Sequence, residues 1–483
     1  MKAHRLVHPG KGRFWEVHWE GSQTETTSGA LGTNGRSSAK SFASEREADR
    51  WVEEQLARRR KEGFTELTDP GSAVTSAAAQ PSELLARILE RPDDDALRSV
   101  YADELSAAGD PRGEFIQVQL ALAKGGTPIH QHREKELLER FRVPWSQGLR
   151  GVDLRYERGF VTEMHLKFED LEQYVGKLWQ VAPLLTRLHV NAEYSSRVTM
   201  AVRELVKREE LKGLTELHLN MVAWDSPQIV GALSSVKCFD ALEKLALRRL
   251  GASDGELIEL VTTERFPKLT RVDLRGNTLA GGAIDTLAKR PLVELNYSNN
   301  RLGQSSVAQL SRAKAWKTLR SLDLSGNGIG NAGLRVLGEA EFLGNVATLG
   351  LSDVQALTSG LQLMADGAIG KSIVELDLSD NELREEGARL LASGLFPALT
   401  TLDLSSAMLG DRGVAALLDG PMASRLTTLH LRKNQISAAG IRVLTKKTLP
   451  KLEHLRVSGN PLGEGGVDRV REALPGVQVV ARA

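Results

Sequence analysis

Residues 319–327 read LRSLDLSGN. Leu322 and Leu324 are two apart, so on a strand they point to the same side, into a core. Ser321 and Asp323 flank the inward leucines and face solvent. Asn327 then turns inward, where its amide can satisfy the backbone of the adjacent turn. Gly333 follows as a small residue, and Leu334 and Leu337 continue at helical spacing on an outer layer.

Working outward, the L-x-x-L-x-L triplet recurs twelve times, beginning at Val161, Leu185, Leu214, Leu242, Leu269, Leu292, Leu319, Val346, Ile373, Leu399, Leu426 and Leu452. Most spacings are 26 to 29 residues, with two shorter gaps. Asn277, Asn300, Asn327, Asn381, Asn434 and Asn460 fill the asparagine position in half of the units. One unit cannot bury its apolar face alone, whereas stacked units can.

This pattern resembles the leucine-rich repeat family, in its ribonuclease-inhibitor-like class, over roughly residues 160–475. The resemblance implies an α/β solenoid: a horseshoe with a concave parallel sheet, outer helices and a protein partner held in the concavity. Residues 159–483 are then the repeats, and GVQVVARA at the end is a half-strand cap. Two units are irregular. Val354 replaces the asparagine, and the short gap from Leu269 to Leu292 predicts a helix about one turn shorter.

The solvent-facing positions predict a charge-segregated face. Early repeats offer His165, Lys167, Arg187, His189, Lys244, Arg248, Arg271 and Arg275. The middle offers Asp323, Glu375, Asp377 and Asp403, with Glu294 just before, and the end offers His430, Arg432, His454 and Arg456. A basic–acidic–basic order would steer a partner with complementary blocks. Aromatic anchors are scarce there, and Tyr297 is expected to point inward.

Residues 1–67 differ in composition. FWEVHWEG alternates as a strand does, LGTNGR supplies a turn, and SEREADRWVEEQLARRRKEGF reads as a helix. Ser44 is its expected N-cap, Glu47 its capping-box partner and Gly63 its end. Phe14 to Trp19, residues 31–36, SFASEREA and KEGF in this order resemble the WGR domain, which implies a small α+β domain. Where that family writes Trp-Gly-Arg-x-Gly, this chain has Ser28-Gly29-Ala30-Leu31-Gly32. In polymerases of that family the tryptophan and arginine contact DNA ends. Lys11, Arg13, Arg36, Lys40, Arg58, Arg59, Arg60 and Lys61 remain as candidate phosphate contacts.

Residues 68–83, rich in Ala, Ser, Gly and Pro, predict a flexible linker. In 84–158, Asp93 is an expected helix cap, and Val100, Leu105, Phe115, Ile116 and Leu120 suit two helices joined by AGDPRG. Pro92 with its aspartates, YADEL, GDPRGEFI and Arg158-Gly159-Phe160 resemble the helical companion domain that precedes leucine-rich repeats in some bacterial proteins. That implies an N-terminal cap on the solenoid.

Charge and composition exclude other classes. Lys and Arg number 63 against 62 Asp and Glu, for a net charge of +1, so the chain is not a generally basic nucleic-acid binder. The single cysteine, Cys238, excludes an internal disulfide framework and a cysteine zinc site, and points to a reducing compartment. Cys238 itself reads as a small core residue. No apolar run approaches the roughly 20 residues of a membrane span, and no apolar h-region follows Met1. No P-loop, zincin or nucleophile-elbow motif occurs, and His130 with His132 lacks a third ligand. The sequence predicts a cytoplasmic protein with no enzymatic activity and no cofactor. It reads as a scaffold, adaptor or sensor subunit with a protein partner. The alternative is a nucleic-acid sensor acting through the N-terminal domain and the basic early repeats. Bacterial defence or signalling systems are the setting the resemblance implies.

Overall fold

The computed structural model describes residues 2–8, 13–30, 36–66, 83–192, 198–221, 226–236, 239–261, 264–447 and 449–481. Lys11, most of the LGTNGR turn, the linker residues 68–82 and Cys238 lie outside them. The chain divides into two compact units, Met1–Arg187 and Leu188–Ala483.

The first unit begins with an antiparallel sheet of β1 (Lys2–His8), β2 (Arg13–Glu20), β3 (Gln23–Ala30), β4 (Arg36–Ser41) and β5 (Thr65–Glu66), in the order β4-β3-β2-β1-β5. Alternation along β2 buries Trp15, Val17 and Trp19. They pack with Leu6, Phe64 and the inner face of α1 (Glu45–Lys61), which supplies Val52 and Leu56. Trp19 Nε1 donates to Asp49 Oδ1 at 2.7 Å, so a buried indole reaches the helix without an orphaned N–H. Ser44 caps α1 as expected, accepting from Glu47 N. The return bond differs: Glu47 Oε2 accepts from Ala43 N, one residue before the cap.

Four helices follow: α2 (Glu83–Glu90), α3 (Asp95–Ala107), α4 (Pro111–Ala123) and α5 (Pro128–Trp145). Glu83, placed in the linker by composition, already belongs to α2. Asp94, not Asp93, caps α3, because the helix starts at Asp95 and only the Asp94 carboxylate reaches Ala96 N and Leu97 N. Asp93 instead lies 3.5 Å from Arg158. Val100 is exposed, contrary to its expected core role. Leu97, Tyr101 and Ala102 face inward with Ile88, Ile116 and Leu120, and Phe160 and Leu184 pack against them. The Arg158-Gly159-Phe160 turn fits tightly here. Gly159 has φ +88°, and an added Cβ would sit 2.2 Å from Ile116 Cγ1, so only glycine fits. Buried Arg98 donates to Pro92 O at 3.0 Å and Arg158 O at 2.9 Å, and its guanidinium lies over the Phe160 ring. An antiparallel pair, β6 (Asp153–Glu157) and β7 (Phe160–Lys167), and two short helices, Phe168–Tyr174 and Leu178–Val181, complete the unit.

The second unit is the repeat array. Its strands are β8 (Arg187–Ala192), β9 (Glu216–Met221), β10 (Lys244–Arg248), β11 (Arg271–Asp273), β12 (Glu294–Asn296) and β13 (Ser321–Asp323). Then come β14 (Thr348–Gly350), β15 (Glu375–Asp377), β16 (Thr401–Asp403), β17 (Thr428–His430), β18 (His454–Arg456) and β19 (Gln478–Val480). They lie in unbroken chain order, and from β9 onward each neighbouring pair is parallel. Leu322 aligns with Leu295 and Leu349, so the inward leucines stack in rows. The segment after β11 carries a helix of 6 residues, Gly282–Leu287, against 10 for Gly330–Glu339, as the short gap requires. Tyr297 is fully buried and donates to Ala280 O at 3.0 Å; burial pushes its phenol well above the usual value.

The asparagines carry the backbone of the turns. Asn327 Nδ2 donates to Tyr297 O and Leu324 O, both at 2.9 Å, and its Oδ1 accepts from Leu302 N at 3.0 Å. Asn381 and Asn434 repeat the arrangement two and four units on. Each amide thus joins two successive repeats through groups that water cannot reach.

Candidate partner-binding face

Each repeat strand offers two neighbouring outward positions, and the parallel register aligns them in columns. One column runs Lys244, Arg271, Glu294, Ser321, Thr348, Glu375, Thr401, Thr428 and His454. The next runs His218, Ala246, Asp273, Asn296, Asp323, Gly350, Asp377, Asp403, His430 and Arg456. A cleft of about 410 Å³ lies on this face, lined by both columns from Lys244 to His430.

The cleft has an acidic floor whose carboxylates are held by their own strands. Asp323, Asp377 and Asp403 each accept, through Oδ1, from the amide of the serine two residues on, at 3.0, 2.9 and 2.8 Å. This Asp-Leu-Ser turn fixes one oxygen and leaves the other aimed across the face. Asp323 Oδ2 accepts from Asn296 Nδ2 at 2.8 Å, and Asp403 Oδ2 lies 3.0 Å from His430 Nδ1. Among the described residues, no ion pair neutralises Asp377 or Glu375. Burial raises the Asp377 carboxyl above its usual value, and the nearby Asp403 and Asp323 charges add to this against the Ser379 hydrogen bonds. Burial acts the same way on Asp403, but hydrogen bonds from His430 and Ser405 outweigh it and hold that carboxyl below its usual value. Gly350 opens the space between Asp323 and Asp377: a Cβ there would meet Asp323 Oδ1 at 2.4 Å.

The predicted early basic block is paired. In the first unit, Arg187 Nε donates to Glu163 at 2.9 Å, His165 lies beside the same carboxylate, and Lys167 is exposed at the end of β7. In the second unit, Arg248 meets Asp273 at 2.7 Å, and Arg271 lies 3.4 Å from Glu243 and 3.6 Å from Glu216. Arg275 reaches Asp323 only at 4.0 Å, and Lys244 lines the cleft. The carboxylates Glu163, Glu216, Glu243 and Asp273 therefore balance a stretch that sequence reading took as cationic. Glu163, Glu216 and Asp273 stand at outward positions of the same triplets, and Glu243 directly precedes such a position. At the other end, Arg432 donates to Ser458 Oγ, His454 meets Gln478, and Arg456 is exposed. The acidic middle is the least compensated part of the face.

In the N-terminal sheet, Arg13, Arg36 and Lys40 are exposed, with the Lys40 ammonium 4.8 Å from the Phe42 ring centre and 5.0 Å from that of Trp51. Arg58 and Arg59 donate to Glu62 at 3.1 and 2.8 Å, and the Arg59 hydrogen bond lowers the Glu62 carboxyl. Arg60 and Lys61 are exposed. His130 is engaged with Thr127 at the start of α5, and His132 faces Glu136 at 3.7 Å, so local helix contacts account for that pair.

Known proteins match this chain at both ends. The WGR domain family matches residues 4–70, and the Leucine Rich repeat family matches residues 317–338, 371–392, 397–418 and 425–444. The chain therefore carries a WGR domain at its N-terminus and leucine-rich repeats in its C-terminal region. The ribonuclease inhibitor of Sus scrofa is 42% identical over 88 residues, which span 17% of this chain and 19% of the inhibitor. Among solved structures, the yeast Rad7 and Elc1 complex is similar with a TM-score of 0.45 and 16% identity, covering 84% of this chain and 99% of that one. An internalin of Listeria monocytogenes is similar with a TM-score of 0.37 and 16% identity, covering 72% and 95%. No described helix is long and apolar enough to cross a membrane.

Proposed function

We propose that this chain is a non-enzymatic interaction scaffold whose repeat face receives a lysine- or arginine-bearing segment of a protein partner. The supporting observation is the cleft. Three backbone-braced aspartates converge on it, three further carboxylates (Asp273, Glu294 and Glu375) line it, and a glycine keeps it open. A cationic side chain entering there would relieve the mutual repulsion of Asp323, Asp377 and Asp403. Residues 83–158 would serve as the cap of the array, 68–82 as a tether and 1–67 as a second contact that raises avidity.

The test is affinity capture from nuclease-treated native lysate with full-length protein and two variants. In one, Asp377 and Asp403 become Lys; in the other, Arg58, Arg59 and Arg60 become Glu. A protein captured stoichiometrically by the native chain and by the arginine variant, but lost from the aspartate variant, supports the cleft. Equal capture by all three removes it. The exposed Arg13, Arg36, Lys40, Arg60 and Lys61 support a second reading, nucleic-acid binding by the WGR domain. That reading expects, in the same capture repeated without nuclease, steep salt dependence and loss of nucleic acid from the arginine variant.

A further inference from the structure

We propose that His189, Glu216 and His218 form a binding site for a divalent first-row transition metal ion, zinc in particular. This inference does not depend on the partner reading. Each of the three side chains offers one donor atom, and these atoms lie within 4.8 Å of one another. Glu216 Oε2 and His218 Nε2 are 3.1 Å apart. The His189 and His218 rings sit 4.0 Å apart, centre to centre, at 46°.

The backbone explains why these donors meet. Glu216 and His218 are two apart on β9, so both point outward, and His189 is an outward residue of β8. Leu188, Val190, Leu217 and Leu219, at most 1% exposed, anchor the two strands in the core between those positions. The donors thus stand on rigid strands rather than on a loop. His218 is only 7% exposed, which restricts competing water.

The chemistry of the set selects the ion. Two imidazole nitrogens and one carboxylate suit zinc and its neighbours, whereas calcium and magnesium prefer oxygen donors alone. Around a tetrahedral zinc bound at about 2.0–2.1 Å, ligand atoms stand about 3.4 Å apart. The Glu216–His218 pair is already within that distance, and since no separation in the group exceeds 4.8 Å, side-chain rotation need close the others by at most about 1.4 Å. Arg271 lies 3.6 Å from Glu216 Oε1, so it orients the carboxylate and leaves Oε2 to the histidine side. Three protein donors leave a fourth coordination position for water or for a donor brought by a ligand.

Full-length, tag-free protein titrated with cobalt(II) alone tests the site. The expected result is one equivalent bound, with visible ligand-field absorption that zinc displaces. His189→Asn and Glu216→Gln should each weaken binding by at least the roughly 10–100-fold that losing a supporting partner costs. His189→Asn is half-exposed and preserves the core, so it decides the matter even where His218→Ala misfolds. A double variant of His130 and His132 to Asn, both outside the repeat strands, should bind cobalt as the native chain does. Absence of binding in the native chain, or binding that persists in both His189→Asn and Glu216→Gln, overturns the site.

Discussion

Asp403 Oδ2 lies 3.0 Å from His430 Nδ1, across adjacent strands at the same register position. One strand earlier, Asp377 aligns with Asp403 and has no such neighbour on its other side, where Gly350 stands. Two aspartates in equivalent turns are therefore pushed in opposite directions, Asp403 below its usual value and Asp377 above it.

Asp403 contributes stability above its unfolded pKa, and this is lost as pH falls through its lowered folded value. Asp377 opposes folding once ionised; that penalty is absent below its unfolded pKa and grows as pH rises through its raised folded value. Carboxyl NMR should show the Asp377 midpoint above the usual 3.8 and that of Asp403 below it. Asp377→Asn should melt higher than the native chain at neutral pH, with the difference vanishing on acidification. A difference that stays constant with pH would refute the account.

A second expectation concerns Asn434, which is 0% exposed. Asn434→Ala strands Ala407 N, Leu409 N and Leu404 O, which it now bonds at 3.0, 3.2 and 2.6 Å. Each buried orphan costs about 1–3 kcal/mol, so the loss should exceed about 2 kcal/mol. Urea unfolding followed by circular dichroism measures it, and a change within about 0.5 kcal/mol would mean water replaces the amide.

A third concerns Arg133 and Glu114, buried between α4 and α5 at 2.7 and 2.9 Å in a two-pronged pair. Removing one partner leaves an uncompensated buried charge. Arg133→Met alone should cost about 3–5 kcal/mol, whereas Arg133→Met with Glu114→Leu should recover most of it. If the double variant is as unstable as the single, the pair contributes through packing rather than charge.

A fourth concerns Trp19, whose indole N–H meets Asp49 at 2.7 Å. Asp49→Ala should destabilise the N-terminal sheet by about 1–3 kcal/mol by leaving that group without its acceptor. Trp19 fluorescence during unfolding reports the shift.

The repeat strands were legible because Leu322 and Leu324 encode a side, and the asparagine role because an amide between two apolar runs has few other uses. Local sequence also placed the Ser44 cap, yet it chose Asp93 over Asp94, since neighbouring aspartates differ only in where the first helical turn begins. The charge balance of the early face is not legible in local sequence for a deeper reason. Arg248 and Asp273, or Arg187 and Glu163, are 24–25 residues apart and become neighbours only through register. The same applies to His189 and His218: a shared repeat position was visible, but a 4.0 Å ring separation was not.

The asparagine bonds give the array a polarity. Asn460 accepts from Asn434 N and Ile436 N, Asn434 from Ala407 N and Leu409 N, and Asn381 from Val354 N and Ala356 N. Each of these loops is closed by the unit that follows it. Trimming units from the carboxyl side strips the lock from the last one left, whereas trimming from the amino side leaves later locks in place. Fraying should therefore start at the carboxyl end and travel backward, one loop at a time.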